Sequence, residues 1–311
     1  MSDRPQIVVV GSHAPGLFVR VKRVPTAGET VIGWDFHEPV DGGKGSNQAI
    51  AAAKLGARTS FVGVVGRDRI GDDGERWMRD AGVETRYLRR SDTTSSGVGF
   101  IILDEEGVPA MVTTMGANAE LSAEEIDAAL GELQGAAVLL TQFEIDPQVA
   151  LHAARAARRY GMIAIANPAP APVEPVRGLE AATILTPNET EAKVLLGLDP
   201  GDKVDLAQLA ERLCQQTGVE QIIVTAGEQG AVGVDASGTW HVRPPAVEVV
   251  DTSGAGDVFC AALAVALVGG KPLRAAAEWA CAAATLSVSR AGTIPAFPTN
   301  EEVAKFLSTR G

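Results

Sequence analysis

Positive charge is scarce in this 311-residue chain: 27 lysines and arginines stand against 39 aspartates and glutamates, a formal net charge of −12. Such a surface repels polyanions, so neither nucleic acid nor an anionic membrane is expected as a partner. A small anion is still compatible, because local backbone amides can hold phosphate inside an acidic protein. Long apolar runs are missing too. The longest, Val258–Val268, has eleven residues, too few to span a bilayer. The opening MSDRPQIVVVGS has no signal-peptide core, from which a cytoplasmic location is expected. Cysteine is rare, odd in number and without metal spacing: Cys214, Cys260 and Cys281. The last two lie in alanine-rich apolar stretches and read as buried free thiols. The dinucleotide fingerprint G-x-G-x-x-G is absent from VVVGSHAPG, and the Walker order is absent from DGGKGSNQA, which disfavours a dehydrogenase and a P-loop enzyme. There is no internal repeat and no low-complexity tract beyond the short proline-rich loop NPAPAPVEP.

What is present is a rhythm. Short β-branched runs occur at 6–11, 60–66, 136–142, 161–168, 182–188 and 221–227. Alanine-rich segments of helical length fall between them, at 46–55, 71–81, 122–134, 146–160, 189–196 and 204–217. Nearly all-apolar strands alternating with helices predict an α/β fold, a Rossmann-like three-layer body around a mainly parallel sheet. Ligands of such sheets bind at the carboxyl ends of the strands. Two stretches break the rhythm. Residues 17–41 alternate and carry aromatics, and 96–115 read as a hairpin turning at Glu105–Gly107. Both predict antiparallel strands of a small inserted sheet, a lid or a dimer surface covering about 15–41 and 96–115, within one domain over 1–311.

Directly before the eleven-residue run stands DTSGAGD, residues 251–257. Glycines at 254 and 256 allow a tight turn and close approach of a ligand to the backbone. The first amides of the following helix, with the positive end of its dipole behind them, would form an anion cradle suited to a phosphoryl group in transit. Asp257 at its rim could accept a proton from an attacking hydroxyl, although an aspartate there is also an ordinary helix-start residue.

Six stretches in register, DGGKGSNQA, GVVGRDRIGDDG, NPAPAP, ILTPNETEA, VTAGEQGAVG and DTSGAGDVFCAALA, resemble the ribokinase-like (PfkB-type) carbohydrate kinases, with ribokinase the nearest pattern. The resemblance implies a Rossmann-like body with a β-sheet lid and ATP-dependent phosphorylation of a primary hydroxyl of a sugar or polyol. It implies Asp257 as general base and the amides of Gly254, Ala255 and Gly256 as anion hole. Asn188 and Glu191 would lie at the phosphate and Mg2+ region, and Thr225, Gly227, Glu228, Gly230, Gly256 and Cys281 at the nucleotide. Gly43, Lys44, Asn47, Glu144 and Asp257 match the sugar side. Asp251, with main-chain oxygens of Ser253, Ser287, Arg290 and Gly292, matches a K+ loop, although Ala296 replaces a side-chain ligand. A homodimer through the lid sheet is expected.

One departure bears on substrate. GSHAPG stands where ribokinase has GSINAD, so Ala14 and Gly16 replace the Asn and Asp that hold ribose hydroxyls. The vacated volume is expected to favour a larger or less hydroxylated substituent, with Asp41 or His13 reaching it from the side. A nucleoside kinase of the same superfamily and a catalytically silent sugar- or nucleotide-binding regulator are the alternatives.

Overall fold

A computed structural model describes residues 6–309 with Pro39 and Val173 excepted. The first five residues of the opening segment, one proline of the first lid stretch and one valine of the proline-rich loop therefore lie outside the described residues. The strands are β1 Gln6–Val10, β2 Gly16–Arg20, β3 Trp34–His37, β4 Arg58–Gly66, β5 Glu84–Ser91, β6 Val98–Leu103, β7 Pro109–Thr114, β8 Val138–Gln142, β9 Ile163–Asn167, β10 Ile184–Leu185, β11 Gln221–Thr225, β12 Ala231–Asp235 and β13 Gly238–Val242. The helices are α1 Gly43–Lys54, α2 Arg69–Asp80, α3 Ala123–Glu132, α4 Pro147–Arg159, α5 Glu189–Leu195, α6 Leu206–Thr217, α7 Ala255–Val268, α8 Leu273–Val288 and α9 Asn300–Ser308.

Nine strands form one sheet in the order β13-β12-β11-β10-β9-β8-β1-β4-β5. It is parallel from β5 to β11 and ends in the antiparallel pairs β11–β12 and β12–β13. Strand β1 lies inside it and shows why its sequence is uninterruptedly apolar. Val8 and Val10 enter the core under α3, α4 and α6, while Ile7 and Val9 enter the core under α1, α7 and α8. With helices on both faces, no position from Ile7 to Val10 meets water. The all-round apolar α7 has the same cause, being packed against both α1 and α8 over the sheet.

The two irregular stretches form a separate four-stranded sheet, β3-β2-β6-β7. The pairs β2–β3 and β6–β7 are antiparallel as expected, but β2 and β6 join in parallel, Gly16 opposite Gly99 through Arg20 opposite Leu103. The two stretches are far apart in the chain, so no hairpin turn sets their relative direction. Strand β5 and the β12–β13 hairpin lie in segments without the apolar runs that marked the other strands. Buried and exposed positions are mixed along β5 and β13, while β12 is covered throughout its first three residues.

Candidate active site

The carboxyl ends of β1, β8 and β9 open toward the start of α1, where the loop Asp41–Gly45 crosses them. Ser46 N–H donates to Ser12 O at 3.0 Å and Ala14 N–H to Gly42 O at 2.9 Å, fastening the glycine-rich loop to the end of β1. Glu144, just past β8, receives Ser12 Oγ at 2.6 Å and Lys44 N–H at 2.9 Å on one oxygen. Burial pushes its carboxyl up, against the opposing pull of the Lys44 charge.

Asp257 is buried in the first turn of α7. Asn47 Nδ2 donates to its Oδ2 at 3.1 Å and Gln48 Nε2 to its Oδ1 at 3.1 Å, so neighbouring residues of α1 hold one carboxylate oxygen each. Gln48 in turn accepts from Gln142 Nε2 at 2.6 Å. Burial raises the Asp257 pKa to about 6, while Lys44 and the two amide donors favour the charged form. Lys44 is itself pulled down by burial, but the charges of Asp257, Glu144 and Glu191 outweigh that and raise it. Gln48 escaped sequence reasoning because only the fold shows that it faces Asp257.

The start of α7 separates the roles of its two glycines, Gly254 at the cap and Gly256 in the first turn. Gly254 has φ 72°, and a Cβ there would lie 2.8 Å from both Phe297 and Thr293 side-chain atoms, so conformation and packing both require glycine. A Cβ on Gly256 would meet nothing within 4 Å. It points into open space. No side chain caps α7, and Ala255 and Gly256 line a cleft of about 610 Å³, within the usual size of small-molecule sites.

The same cleft brings together Asn188, Thr225, Gly227, Glu228, Gly230 and Cys281. Thr225 N–H donates to Pro187 O at 3.0 Å and a bridge pairs Asn188 with Thr225, which fixes the two loops side by side. Asn188 and Glu191 cap α5 reciprocally, each side chain accepting the other's backbone N–H at 2.8 Å. Burial raises Glu191, and it raises the Cys281 thiol to about 12, which makes that cysteine a wall rather than a nucleophile. Beside the cleft, Asp251 receives Ser253 N–H at 2.9 Å and Gly292 N–H at 3.0 Å. Burial pushes its carboxyl up, but these amides lower it overall. Arg290 N–H donates to Ser287 O at 3.0 Å, a turn that leads from the end of α8 to Gly292 and so to Asp251.

Two expectations fail. His13 does not reach the sugar side: its ring is buried, with Nδ1 2.9 Å from Ser46 Oγ and Nε2 3.1 Å from Ile70 O, and it packs against Gly74. Polar partners on both ring nitrogens and the space left by the missing side chain of Gly74 hold it under α2. Nor is the space in front of Gly16 vacant, because a Cβ built there would lie 2.7 Å from Ile101 Cδ1 and 3.3 Å from Phe18. Asp41 does border the site, accepting from Asn47 Nδ2 at 2.7 Å. Among the described residues no cluster of three or more His, Cys, Asp or Glu side chains forms a metal cage, and no helix is long and apolar enough to cross a membrane.

A mainly parallel nine-stranded sheet with a separate four-stranded sheet is the ribokinase fold. The chain belongs to the pfkB family of carbohydrate kinases, which it matches over residues 6–300. It is similar to ribokinase from Bacillus subtilis, 37% identical over 304 residues that cover 97% of this chain and 99% of that one. It is also similar to deoxyribokinase from Salmonella typhimurium, 34% identical over 307 residues that cover 97% and 98% of the two chains. Among solved structures, Arabidopsis thaliana ribokinase complexed with ribose and ATP superposes with a TM-score of 0.88 at 33% identity, covering 98% of this chain and 99% of that one.

Proposed function

We propose that the protein transfers the terminal phosphoryl group of ATP to a primary hydroxyl of a neutral sugar or polyol, with Asp257 as general base. The observation that carries this is the placement of Asp257: buried, gripped on both oxygens by Asn47 and Gln48, at the start of an uncapped helix that faces the cleft. A pKa of about 6 keeps it ionised at neutral pH while leaving it basic enough to take a hydroxyl proton. The amides of Gly254, Ala255 and Gly256 form the anion hole, and Lys44 supplies positive charge between the sugar side and the phosphates. Phosphoryl transfer asks for positioning and charge stabilisation, which these groups provide. Base and anion hole each contribute about 10²–10⁴ in rate. Gly43, Lys44, Asn47, Glu144 and Asp41 bind the acceptor.

The nucleotide occupies the 610 Å³ cleft, with Thr225, Gly227, Glu228, Gly230 and Cys281 around it. Mg2+ fits the region of Asn188 and Glu191, an oxygen-rich corner with a buried carboxyl, where it would neutralise phosphate charge. K+ fits the loop of Asp251, whose donors are all oxygens: its carboxylate and the carbonyls of Ser253, Ser287, Arg290 and Gly292. The four-stranded sheet serves as a lid on a single domain, and its exposed Trp34, Phe36, Phe100, Met111 and Val112 support a homodimer through that sheet. The setting is cytoplasmic. With Ala14 and Gly16 contributing no polar side chain, D-ribose is not the best acceptor.

The test couples ADP release to a panel of pentoses, deoxypentoses, hexoses, polyols and nucleosides. Acceptor-dependent turnover with a neutral sugar or polyol is expected. Turnover with nucleosides alone would move the protein to the nucleoside kinases, and none with any acceptor would leave a silent binding protein.

A further inference from the structure

We infer that Asp41 is the residue that selects the acceptor, taking a second hydroxyl close to the alcohol that Asp257 activates. The inference rests on the kinase reading above.

Asp41 lies in the loop before α1, half-buried. Its Oδ1 accepts from Asn47 Nδ2 at 2.7 Å, and the same nitrogen donates to Asp257 Oδ2 at 3.1 Å. One amide group therefore bridges two carboxylates, and the two oxygens it holds lie within about 6 Å of each other. Gly42 N–H fixes that amide by donating to Asn47 Oδ1 at 3.0 Å. Asp41 Oδ2, by contrast, has no hydrogen-bond or ion-pair partner among the described residues. It sits 3.8 Å from where a Cβ on Gly16 would stand, at the start of β2.

The surroundings narrow what Oδ2 can receive. Ile101 and Phe18 crowd Gly16 and offer no polar atom, while the Glu144 oxygen nearest the loop already accepts Ser12 Oγ and Lys44 N–H. A carboxylate oxygen accepts only, so its partner must be a donor. Oδ2 is the second oxygen of the same carboxylate, about 2.2 Å from Oδ1, so it lies within about 8 Å of Asp257 Oδ2, a gap that two hydrogen bonds and a pair of vicinal or 1,3-related hydroxyls can fill. A sugar acid or sugar phosphate with its anionic group at that position would meet Asp41 as a like charge and be refused. The acceptor is thus a neutral polyhydroxylated molecule whose hydroxyl next to the reacting end is read by Asp41.

The experiment is a cycle between enzyme and substrate. For the best acceptor from the panel, kcat/KM is measured with wild type, Asp41→Asn and Asp41→Ala against the parent and each of its monodeoxy analogues, with thermal unfolding and nucleotide binding as checks on the fold. Asp41→Ala should lower kcat/KM for the parent by about 10- to 100-fold. For one analogue, lacking a hydroxyl near the reacting end, wild type should already show that loss and Asp41→Ala should add less than about threefold. Asp41→Asn keeps an acceptor for Asn47, so it should preserve the pattern with a smaller loss. Equal losses on every analogue would show that Asp41 acts only through Asn47, and no loss on the parent would show that it reads no hydroxyl; either result would overturn the proposal. Absence of turnover by wild type on every acceptor is a different result, and it removes the kinase reading itself.

Discussion

Gln48 and Asp257 are 209 positions apart in the chain and 3.1 Å apart in the fold, amide nitrogen to carboxylate oxygen. Gln48 is fully buried and its own carbonyl is held by Gln142. A carboxylate accepting such a bond is stabilised in its charged form, against the burial that raises it. Replacing Gln48 by Met removes the donor and keeps the volume. The Asp257 pKa should then rise above about 6, and the acid limb of kcat/KM should move to higher pH, because the base works only when ionised. An unmoved limb with a uniformly lower rate would reduce Gln48 to packing.

Asp257→Asn should leave fold and nucleotide affinity intact and lower kcat by about 10²–10⁴-fold. The amide is nearly isosteric but cannot take the hydroxyl proton. A kcat within threefold of wild type would remove the assignment of the base.

Gly254, the cap of α7, and Gly256, in its first turn, should respond differently to alanine. Gly254→Ala adds a Cβ at φ 72° and 2.8 Å from Phe297 and Thr293, so it should cost about 2–4 kcal/mol of stability. Gly256→Ala adds a methyl that meets nothing in the fold. It should leave the melting temperature nearly unchanged and weaken nucleotide binding. Calorimetry of both variants, with and without nucleotide, checks the contrast.

His13 makes stability depend on pH. Burial, opposed by the Ile70 carbonyl, lowers its pKa from 6.5 to about 4. The unfolded chain takes up a proton near 6.5 that the native ring resists, so stability is lost as pH falls from about 6.5 to about 4, by about 3 kcal/mol in total. His13→Ile should flatten that slope in urea unfolding measured at several pH values. Parallel profiles for variant and wild type would contradict the assignment.

Potassium should raise kcat through the loop of Asp251. The loop adjoins both halves of the site: Ile294 N–H donates to Val40 O at 3.2 Å, just before Asp41, and Thr293 packs on Gly254. A cation that orders it would therefore steady the anion hole and the acceptor loop together. Equal rates in potassium, sodium and a bulky organic cation at matched ionic strength would exclude the effect.

The sequence by itself determined the layers of this protein and the residue types at its site. Apolar β-branched runs such as IVVV can be stable only where both faces are covered, and the glycines of DTSGAGD ahead of an apolar run already marked a tight turn into a buried helix. Local pattern carries such information because it reports which faces must be buried and which backbone angles must be reached. Tertiary structure alone decided what meets what. It joined β2 to β6 in parallel, turned His13 under α2, filled the front of Gly16 with Ile101, and set Gln48 and Asn47 on the two oxygens of Asp257. Those outcomes depend on the direction in which a side chain leaves its element and on which distant segment competes for the same space. Neither is encoded in spacing along the chain.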